Sequence, residues 1–179
     1  MVIWMAGLSG AGKTTVCRLL FDGLKASLPE LVLLDGDGVR EAFGNDLGHT
    51  EADRVRQVSR VQRLARLLSD QGLVVIVALV YANPDLLAWN RTHIADYFEV
   101  LFDAPLDLVR RRDPKRLYAG ALTGETRDVV GVDIPWHRPE SADLVLDLSR
   151  EPDAATLATA IARAVPRLSS KWQTTPSRV

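Results

Sequence analysis

A glycine-rich stretch near the start of the chain carries the residues best suited to chemistry. "GLSGAGKTT" satisfies the pattern G-x-x-x-x-G-K-[ST]. Glycines let the backbone surround phosphate oxygens with N–H groups, the lysine supplies a charge to the β- and γ-phosphates, and the threonine hydroxyl can ligate Mg²⁺. We predict a nucleoside triphosphate site with Mg²⁺, the metal on Thr14, formed by Gly7, Ser9, Gly10, Ala11, Gly12, Lys13, Thr14 and Thr15.

Two carboxylates follow the apolar run "LVLL". Asp35 and Asp37 follow the carboxyl end of a predicted parallel strand. Parallel sheets bind ligands at this end of their strands. Beside a triphosphate, Asp37 with Asp35 can accept a hydroxyl proton, and Asp37 can hold Mg²⁺. Arg40 and Arg54 follow at spacings that can aim both guanidinium groups at an anionic acceptor. A solvated turn also favours Asp and Gly, but the position in the fold favours catalysis.

These residues need a scaffold, and the chain alternates apolar segments of strand length with amphipathic ones. The predicted strands are "VIWMA" (2–6), "LVLL" (31–34), "LVVIVALV" (73–80), "YFEVLF" (97–102) and "DLVLDL" (143–148). The predicted helices cover residues 13–27, 51–71, 84–95, 105–112 and 152–164. This alternation predicts an α/β fold with a parallel, doubly wound, five-stranded sheet in three layers.

Residues 1–168 are predicted to form a single domain. Within it, residues 113–139 carry Gly, Pro and charged residues without a clear period, which indicates a lid. Residues 169–179 have little apolar content, and we predict a disordered tail there.

Composition excludes several classes of function. The 179 residues include 22 Lys and Arg against 23 Asp and Glu, so nothing attracts the chain generally to nucleic acid or to an anionic membrane. The single cysteine excludes an intrachain disulfide. The run "LVVIVALVYA" is too short to span a bilayer, and no signal-peptide pattern precedes the glycine loop. We expect a cytoplasmic protein that acts on a small molecule.

The triphosphate motif alone leaves several classes open. A GTPase needs an N/T-K-x-D element, and a motor ATPase usually has a strand that ends in Asp-Glu; neither is present in the sequence. A small kinase needs an acceptor pocket, a carboxylate near the acceptor hydroxyl and an arginine-bearing lid, and the chain offers candidates for each.

Five motifs in order resemble those of the adenylylsulfate (APS) kinases. They are "GLSGAGKTT", "LDGDGVR", "NDLGHTEADR", "RRDPKRLYAGALTGE" and "VVGVDIPW", and the resemblance runs from Met1 to about Asp147. It implies a P-loop kinase, usually a homodimer, that transfers the γ-phosphoryl group of ATP to the ribose 3′-hydroxyl of a nucleotide. It implies a nucleotide contact for Arg112, and an acceptor site formed by Asp35, Asp37, Arg40, His49, Arg54, Gln57, Val129 and Asp133.

The chain departs from this family where the acceptor is recognised. His49 and Val129 stand where the family has two phenylalanines that stack on the acceptor adenine. Each lost stacking partner weakens base binding by roughly 1–3 kcal/mol. The family's arginine-bearing "SPFR" is replaced by "YANP" (81–84). Further replacements are Gly38 and Gln57 for asparagines, and Ala119 and Gly120 for the two lid lysines.

A second resemblance is to the branch of this family that includes the cytidine diphosphoramidate kinases. "MVIW", Asn90 with Arg91, "DYFEV" and "VVGVDIP" are similar to that branch. A cytidine diphosphoramidate-type acceptor is therefore favoured. The alternatives are a true APS kinase, a kinase for a sugar or antibiotic alcohol, and a non-catalytic ATP-binding sensor.

Overall fold

Five parallel strands form the single sheet of the computed structural model, which describes residues 1–172. The strands are β1 (Val2–Gly7), β2 (Leu31–Asp35), β3 (Val74–Leu79), β4 (Tyr97–Asp103) and β5 (Leu144–Asp147). Their order is β2-β3-β1-β4-β5, and every pairing is parallel. All residues of β1 and β3 are buried, because the central strands of such a sheet are covered on both faces. The predicted sheet is confirmed.

Helices cover both faces of the sheet. They are α1 (Lys13–Leu24), α2 (Gly36–Ala42), α3 (Glu51–Asp70), α4 (Pro84–His93), α5 (Leu106–Arg112), α6 (Leu117–Thr123), α7 (Ala154–Ala164) and α8 (Pro166–Ser169). α1 packs against α7, and α3 packs against α4, which gives the predicted three layers. Within residues 1–172, no helix is both long and apolar enough to cross a membrane.

Three short helices were not predicted from the sequence. α2 and α6 have seven residues each and α8 has four, too few to show a helical period. α6 lies inside segment 113–139, where Tyr118 is 2% exposed and donates a hydrogen bond to the Ser9 carbonyl at 3.2 Å. The segment expected to form a lid is thus anchored to the glycine loop.

The structure describes only the first residues of the predicted disordered tail, 169–172. Trp172 packs against the core, and its ring lies 3.0 Å from the position of a Cβ added to Gly23 of α1. Burial of an indole ring stabilises this end of the chain, which a count of apolar residues does not anticipate. The remainder of that predicted tail, residues 173–179, lies outside the described residues.

A buried polar network joins α3, α4 and β4 at the end of the sheet away from the glycine loop. Gln62 donates to Asn90 at 2.8 Å, Asn90 to the Tyr97 hydroxyl at 3.1 Å, and Tyr97 to Glu99 at 2.9 Å. Arg91 pairs with Glu99 at 3.4 Å. Burial raises the pKa of Glu99. Asn90 and Arg91 therefore have a structural role here.

Candidate active site

The glycine loop between β1 and α1 has the backbone geometry of a phosphate cradle. Gly10 and Gly12 have φ of 81° and 91°, a region that favours glycine. A Cβ added to Gly7 would lie 2.8 Å from the Phe102 Cβ, so only glycine fits there. α1 starts at Lys13, and no side chain in the described part of the chain caps it, which leaves its first N–H groups available to an anion. Of the other loop positions, Ala11 is buried, Ser9 and Thr14 are half-buried, and Thr15 is exposed.

Lys13 is buried in the middle of this cradle. Its Nζ donates to the carbonyl oxygens of Gly7 at 2.8 Å and Leu8 at 2.9 Å. Burial lowers the pKa of Lys13 from its ordinary value of 10.5 to about 8. Two neutral carbonyls compensate an ammonium group only in part, so the site favours a ligand that brings negative charge.

Asp35 and Asp37 lie at the same edge of the sheet as the cradle. Asp35 ends β2 and is half-buried, and Asp37 lies exposed in the first turn of α2. Both carboxylates act on the buried ammonium of Lys13, and each raises its pKa. Lys115, in the turn between α5 and α6, donates to the Asp37 carboxylate. This ion pair across the mouth of the site was missed from the sequence, which showed Lys115 only as part of the lid.

Arg40 and Arg54 hold the chain that leads from α2 into α3. Arg40 donates to the carbonyls of Leu47 and Gly48, each at 3.0 Å. Arg54 donates to the His49 carbonyl at 2.9 Å and to the Asp128 carbonyl at 2.7 Å. The two arginines that sequence reasoning assigned to the acceptor are thus close together, with their guanidinium groups directed at one loop.

The electrostatics of His49 follow from this position. Burial and the charges of Arg40 and Arg54 lower the pKa of His49. The charges of Asp37 and Asp128 act in the opposite direction and raise this pKa, but more weakly. The pKa of His49 thus lies below its ordinary value, and His49 lies near the predicted catalytic carboxylate.

Asp133 stabilises a turn in the segment that follows α6. The Asp133 carboxylate accepts hydrogen bonds from the backbone N–H of Asp128 at 2.6 Å and of Val129. Burial acts to raise the pKa of Asp133, but these backbone hydrogen bonds outweigh it and the pKa is lowered. Val129 is 4% exposed and lies in the core. In this structure both residues stabilise the turn.

Gln57 lies on α3, one turn beyond Arg54, and is 2% exposed. Its Oε1 accepts a hydrogen bond from Arg60 at 3.3 Å. Arg60 also forms a bidentate ion pair with Asp46, with distances of 2.9 and 2.7 Å. The Gln57 Nε2 has no hydrogen-bond partner among residues 1–172. A buried donor without a partner is costly, so a ligand that accepts its hydrogen bond would be favoured.

Arg112 ends α5 on the outside of the cradle. Its Nη2 pairs with Glu151 at 3.0 Å, and Arg111 pairs with the same carboxylate at 3.1 Å. The end of α5 nonetheless touches the cradle, because a Cβ added to Gly10 would lie 3.3 Å from the Val109 carbonyl oxygen. The nucleotide contact of Arg112 stays a prediction, and its exposed ion pair is weak enough to exchange.

The segment after β3 differs in kind from the arginine-bearing one expected of the family. The Tyr81 hydroxyl donates to Glu51 Oε1 at 2.8 Å. Asn83 caps α4, accepting from the backbone N–H of Asp85 at 2.8 Å, and Pro84 is the first helical residue. Residues 81–84 thus bring a hydroxyl and a helix cap to this edge, and no cation.

An apolar cavity lies between the cradle and residues 131–136. Its volume is about 280 Å³, and its lining residues are Leu8, Leu106, Gly131, Val132, Ile134, Pro135 and Trp136. Trp136 is partly buried against the core. This position of Trp136 is compatible with packing in the core and with stacking on an acceptor base.

The cradle at the end of β1 and the carboxylates at the end of β2 define a P-loop kinase. The adenylylsulphate kinase profile matches residues 1–147 of the chain. The chain belongs to the adenylylsulphate kinase family, whose members are ATP-dependent phosphotransferases that use Mg²⁺.

Individual relatives agree with this assignment. The bifunctional enzyme NodQ of Rhizobium sp. (strain N33) is 44% identical over 147 residues, which cover 81% of this chain and 23% of that enzyme. The chain thus spans about a quarter of the length of the NodQ enzymes. The adenylyl-sulfate kinase of Aeromonas hydrophila is 40% identical over 157 residues, 87% of this chain and 80% of that enzyme.

A solved structure has the same fold. The Mycobacterium tuberculosis APS kinase CysC, in complex with AMPPNP and APS, superposes with a TM-score of 0.82 at 35% identity and covers 91% of this chain and 95% of its own. A hexameric APS kinase from Thiobacillus denitrificans, at 21% identity, shares the fold with a TM-score of 0.68.

Proposed function

We propose that this chain transfers the γ-phosphoryl group of ATP to the ribose 3′-hydroxyl of a small anionic nucleotide. The observation that carries the proposal is the position of Asp35 and Asp37, at the same sheet edge as a cradle with a buried lysine. A carboxylate there can orient the acceptor hydroxyl and take its proton, while the cradle holds the donor.

The other residues divide between donor and acceptor. Lys13 and the loop N–H groups would hold the triphosphate, and Arg40 and Arg54 the anionic end of the acceptor. Thr14 and Asp37 would hold Mg²⁺, which takes few protein oxygens and several from phosphate and water. The metal would neutralise charge on the phosphoryl oxygens.

Lys115 is the ion-pair partner of Asp37 in this structure. Their ion pair is exposed, with the Lys115 side chain 55% and that of Asp37 70% accessible, and pairs of this kind are weak. A triphosphate in the cradle offers Lys115 more negative charge than one carboxylate. Exchange of Lys115 to the phosphates would release Asp37 for the acceptor hydroxyl.

A cytidine diphosphoramidate-type nucleotide is the acceptor that we favour. His49 and Val129 occupy the positions of the family's two stacking phenylalanines, and Val129 is buried in the core. Residues 81–84 bring no cation to the acceptor. Both differences remove contacts expected for adenylylsulfate and leave the catalytic groups in place.

The alternative is a true adenylylsulfate kinase that makes 3′-phosphoadenylylsulfate. Its support is the 35% identity to a structure solved with APS and AMPPNP. Steady-state assays of ADP release with adenylylsulfate and with cytidine diphosphoramidate separate the two. We expect a higher kcat/KM with the cytidine compound, and the reverse order would establish the alternative. A slow ATP turnover that neither compound stimulates would instead identify a non-catalytic sensor.

The role of Asp37 is tested by Asp37→Asn. Loss of a general base is expected to lower kcat by about 10²–10⁴-fold. Binding of AMPPNP, measured by calorimetry without acceptor and without Mg²⁺, should change by less than about threefold, since exposed ion pairs contribute little. Asp22→Asn, an exposed residue of α1, is the matched control. Unchanged turnover of Asp37→Asn would remove this carboxylate from the mechanism.

The homodimer and the cytoplasmic location expected from the sequence remain part of this proposal. Sedimentation velocity at micromolar concentration tests the first, and fractionation of the source cells tests the second. A monomer in sedimentation would contradict the expected assembly without affecting the proposed chemistry.

A further inference from the structure

A tyrosine–glutamate pair lies where the acceptor's anionic end is expected. Tyr81 follows β3, three residues beyond Ala78, which is paired in register with Asp35. Its hydroxyl donates to Glu51 Oε1 at 2.8 Å, from a residue 30 positions earlier in the chain and in the first turn of α3. Tyr81 is 4% exposed, whereas Glu51 is exposed. A rigid, buried phenol thus holds an accessible carboxylate beside the catalytic edge of the sheet.

The pair also lies beside the cation expected to receive the acceptor. Arg54 follows Glu51 by three residues on α3, and residues at this spacing are neighbours on a helix. The charge of Arg54 acts on the Tyr81 hydroxyl. A terminal group bound by Arg54 would therefore meet the Glu51 carboxylate as well.

The hydrogen-bonding groups of Arg54 and of the Tyr81–Glu51 pair decide which terminal group of the acceptor can bind to both. The Tyr81 proton is committed to Glu51, so the pair presents lone pairs and negative charge to a ligand. A terminal sulfate or phosphate also presents only lone pairs and negative charge, and it is repelled. A terminal group with an N–H donor can pair its anionic oxygen with Arg54 and its N–H with Glu51.

We propose that Glu51, positioned by Tyr81, is a specificity-determining residue that recognises an amino substituent on the terminal phosphorus of the acceptor. It does so by accepting a hydrogen bond from that substituent and by repelling an additional oxyanion in its place. The inference rests on the proposed function, because it assumes that a nucleotide is the acceptor, but it does not depend on the base.

The test compares acceptors that differ in one group. Affinities of cytidine 5′-diphosphate and of its terminal phosphoramidate are measured by calorimetry on AMPPNP-bound protein, and kcat/KM is measured with ATP. The same two measurements are repeated with adenosine 5′-diphosphate and its phosphoramidate. The wild type should prefer the phosphoramidate in each series.

The variants locate that preference. Glu51→Gln replaces an acceptor oxygen by an N–H donor, and we expect the preference for the phosphoramidate to fall by about tenfold or more. Tyr81→Phe keeps the Glu51 carboxylate but removes the hydrogen bond that positions it. The preference should fall by about three- to tenfold, the range for one hydrogen bond. The change should appear in the KM of the acceptor, with the KM of ATP unaltered. Tyr81→Phe combined with Glu51→Gln should add little to Glu51→Gln alone.

The chain offers a matched control in a second tyrosine–glutamate pair. Tyr97→Phe removes the hydrogen bond from Tyr97 to Glu99, 2.9 Å long, at the opposite end of the sheet. This variant should lose stability and keep the wild-type preference. A preference in Glu51→Gln within twofold of the wild type overturns the inference, as does a wild type that binds both members of a series equally. A wild type that prefers the phosphoramidate in the adenosine series alone corrects the proposed base and supports the role of Glu51.

Discussion

The donor cradle and the proposed acceptor side of this protein are assembled in different ways. In the cradle, Lys13 bonds to carbonyls five and six residues earlier in the chain. On the acceptor side, Arg54 reaches the carbonyl of Asp128, 74 residues away, and Lys115 reaches Asp37, 78 residues away. A local motif keeps its geometry when distant residues change, whereas an acceptor pocket made of distant segments can change by single substitutions. Such an assembly would let a family keep one donor while its acceptor changes.

The largest expected effect comes from the centre of the cradle. Lys13→Met removes the charge aimed at the donor phosphates, and kcat/KM for ATP should fall by about 10³-fold or more, comparable to the loss of other phosphate-neutralising groups. The stability of the folded protein at pH 7 should change little, because relief of the desolvated ammonium is offset by the loss of the hydrogen bonds to the Gly7 and Leu8 carbonyls. Kinase assays and urea unfolding measure the two effects.

Lys25→Met is the matched control for that variant. Lys25 also donates to two carbonyls, those of Pro29 and Leu31, but outside the cradle. It should lose a little stability and keep full activity. Equal losses of activity in the two variants would mean that the cradle has no special role.

The acceptor side should respond next most strongly. Arg54→Lys keeps the charge but cannot bridge the carbonyls of His49 and Asp128 as the guanidinium does. The KM of the acceptor should rise by about 10–100-fold, the range for charge-assisted hydrogen bonds, with the KM of ATP within about twofold. Arg56→Lys, on the exposed side of the same helix, is the control. A parallel rise in the KM of ATP would show that the two sides are not independent.

The pH dependence of donor binding should depend on Lys13 of the cradle and not on residues of the acceptor side. The pKa of Lys13 is about 8 in the free protein, and a bound triphosphate favours the ammonium form. Above pH 8, the Kd of AMPPNP should therefore rise by about tenfold per pH unit, with uptake of one proton, until the pKa of the bound lysine is reached. Calorimetry in two buffers of different ionisation enthalpy measures the proton uptake.

The same lysine affects folding with a defined sign. Its folded pKa of about 8 lies below the ordinary 10.5, so the unfolded chain binds more protons between these values. The Lys13 contribution to the free energy of unfolding should increase from pH 8 to 10.5 and be absent in Lys13→Met. A pH dependence of AMPPNP binding that persists in Lys13→Met would assign it to another group.

The smallest effects compare a glycine from each region. Gly7→Ala would place a Cβ 2.8 Å from Phe102, and we expect a loss of about 1–3 kcal/mol from overpacking. Gly38→Ala places a Cβ in α2 with no atom of residues 1–172 within 4 Å, and it should stabilise the protein by about 0.5–1 kcal/mol. Thermal unfolding of the two variants tests whether the cradle is tightly packed and the acceptor side open. Destabilisation by Gly38→Ala would contradict the open acceptor side.

Much of the fold was predictable because its signals are local. Runs such as "LVVIVALV" indicate strands buried on both faces, and their alternation with helices predicts a parallel sheet covered by helices. The short helices α2 and α6 escaped prediction because each is short and contains glycine, which disfavours a helix. Trp172 escaped it because packing against α1 is not visible in a polar stretch of sequence.

Less of the acceptor side was predictable, because hydrogen bonds between distant residues decide it. Nothing in the sequence separates the Tyr81–Glu51 pair from two unrelated side chains. The role of Asp133 as the cap of a turn likewise depends on where residues 128 and 129 lie. The apolar cavity beside Trp136 is lined by residues as far apart as Leu8 and Pro135.

The amino-acid sequence by itself determined the parallel sheet, the glycine loop and therefore the kind of phosphate group that the chain holds. These follow from patterns within a few residues, where steric and hydrogen-bonding preferences act directly along the backbone. Tertiary structure alone decided which carboxylate meets Lys115, which carbonyls Arg54 bridges and which side chain holds Glu51. Such contacts depend on the packing of separate helices and strands, because only folding brings these residues within hydrogen-bonding distance.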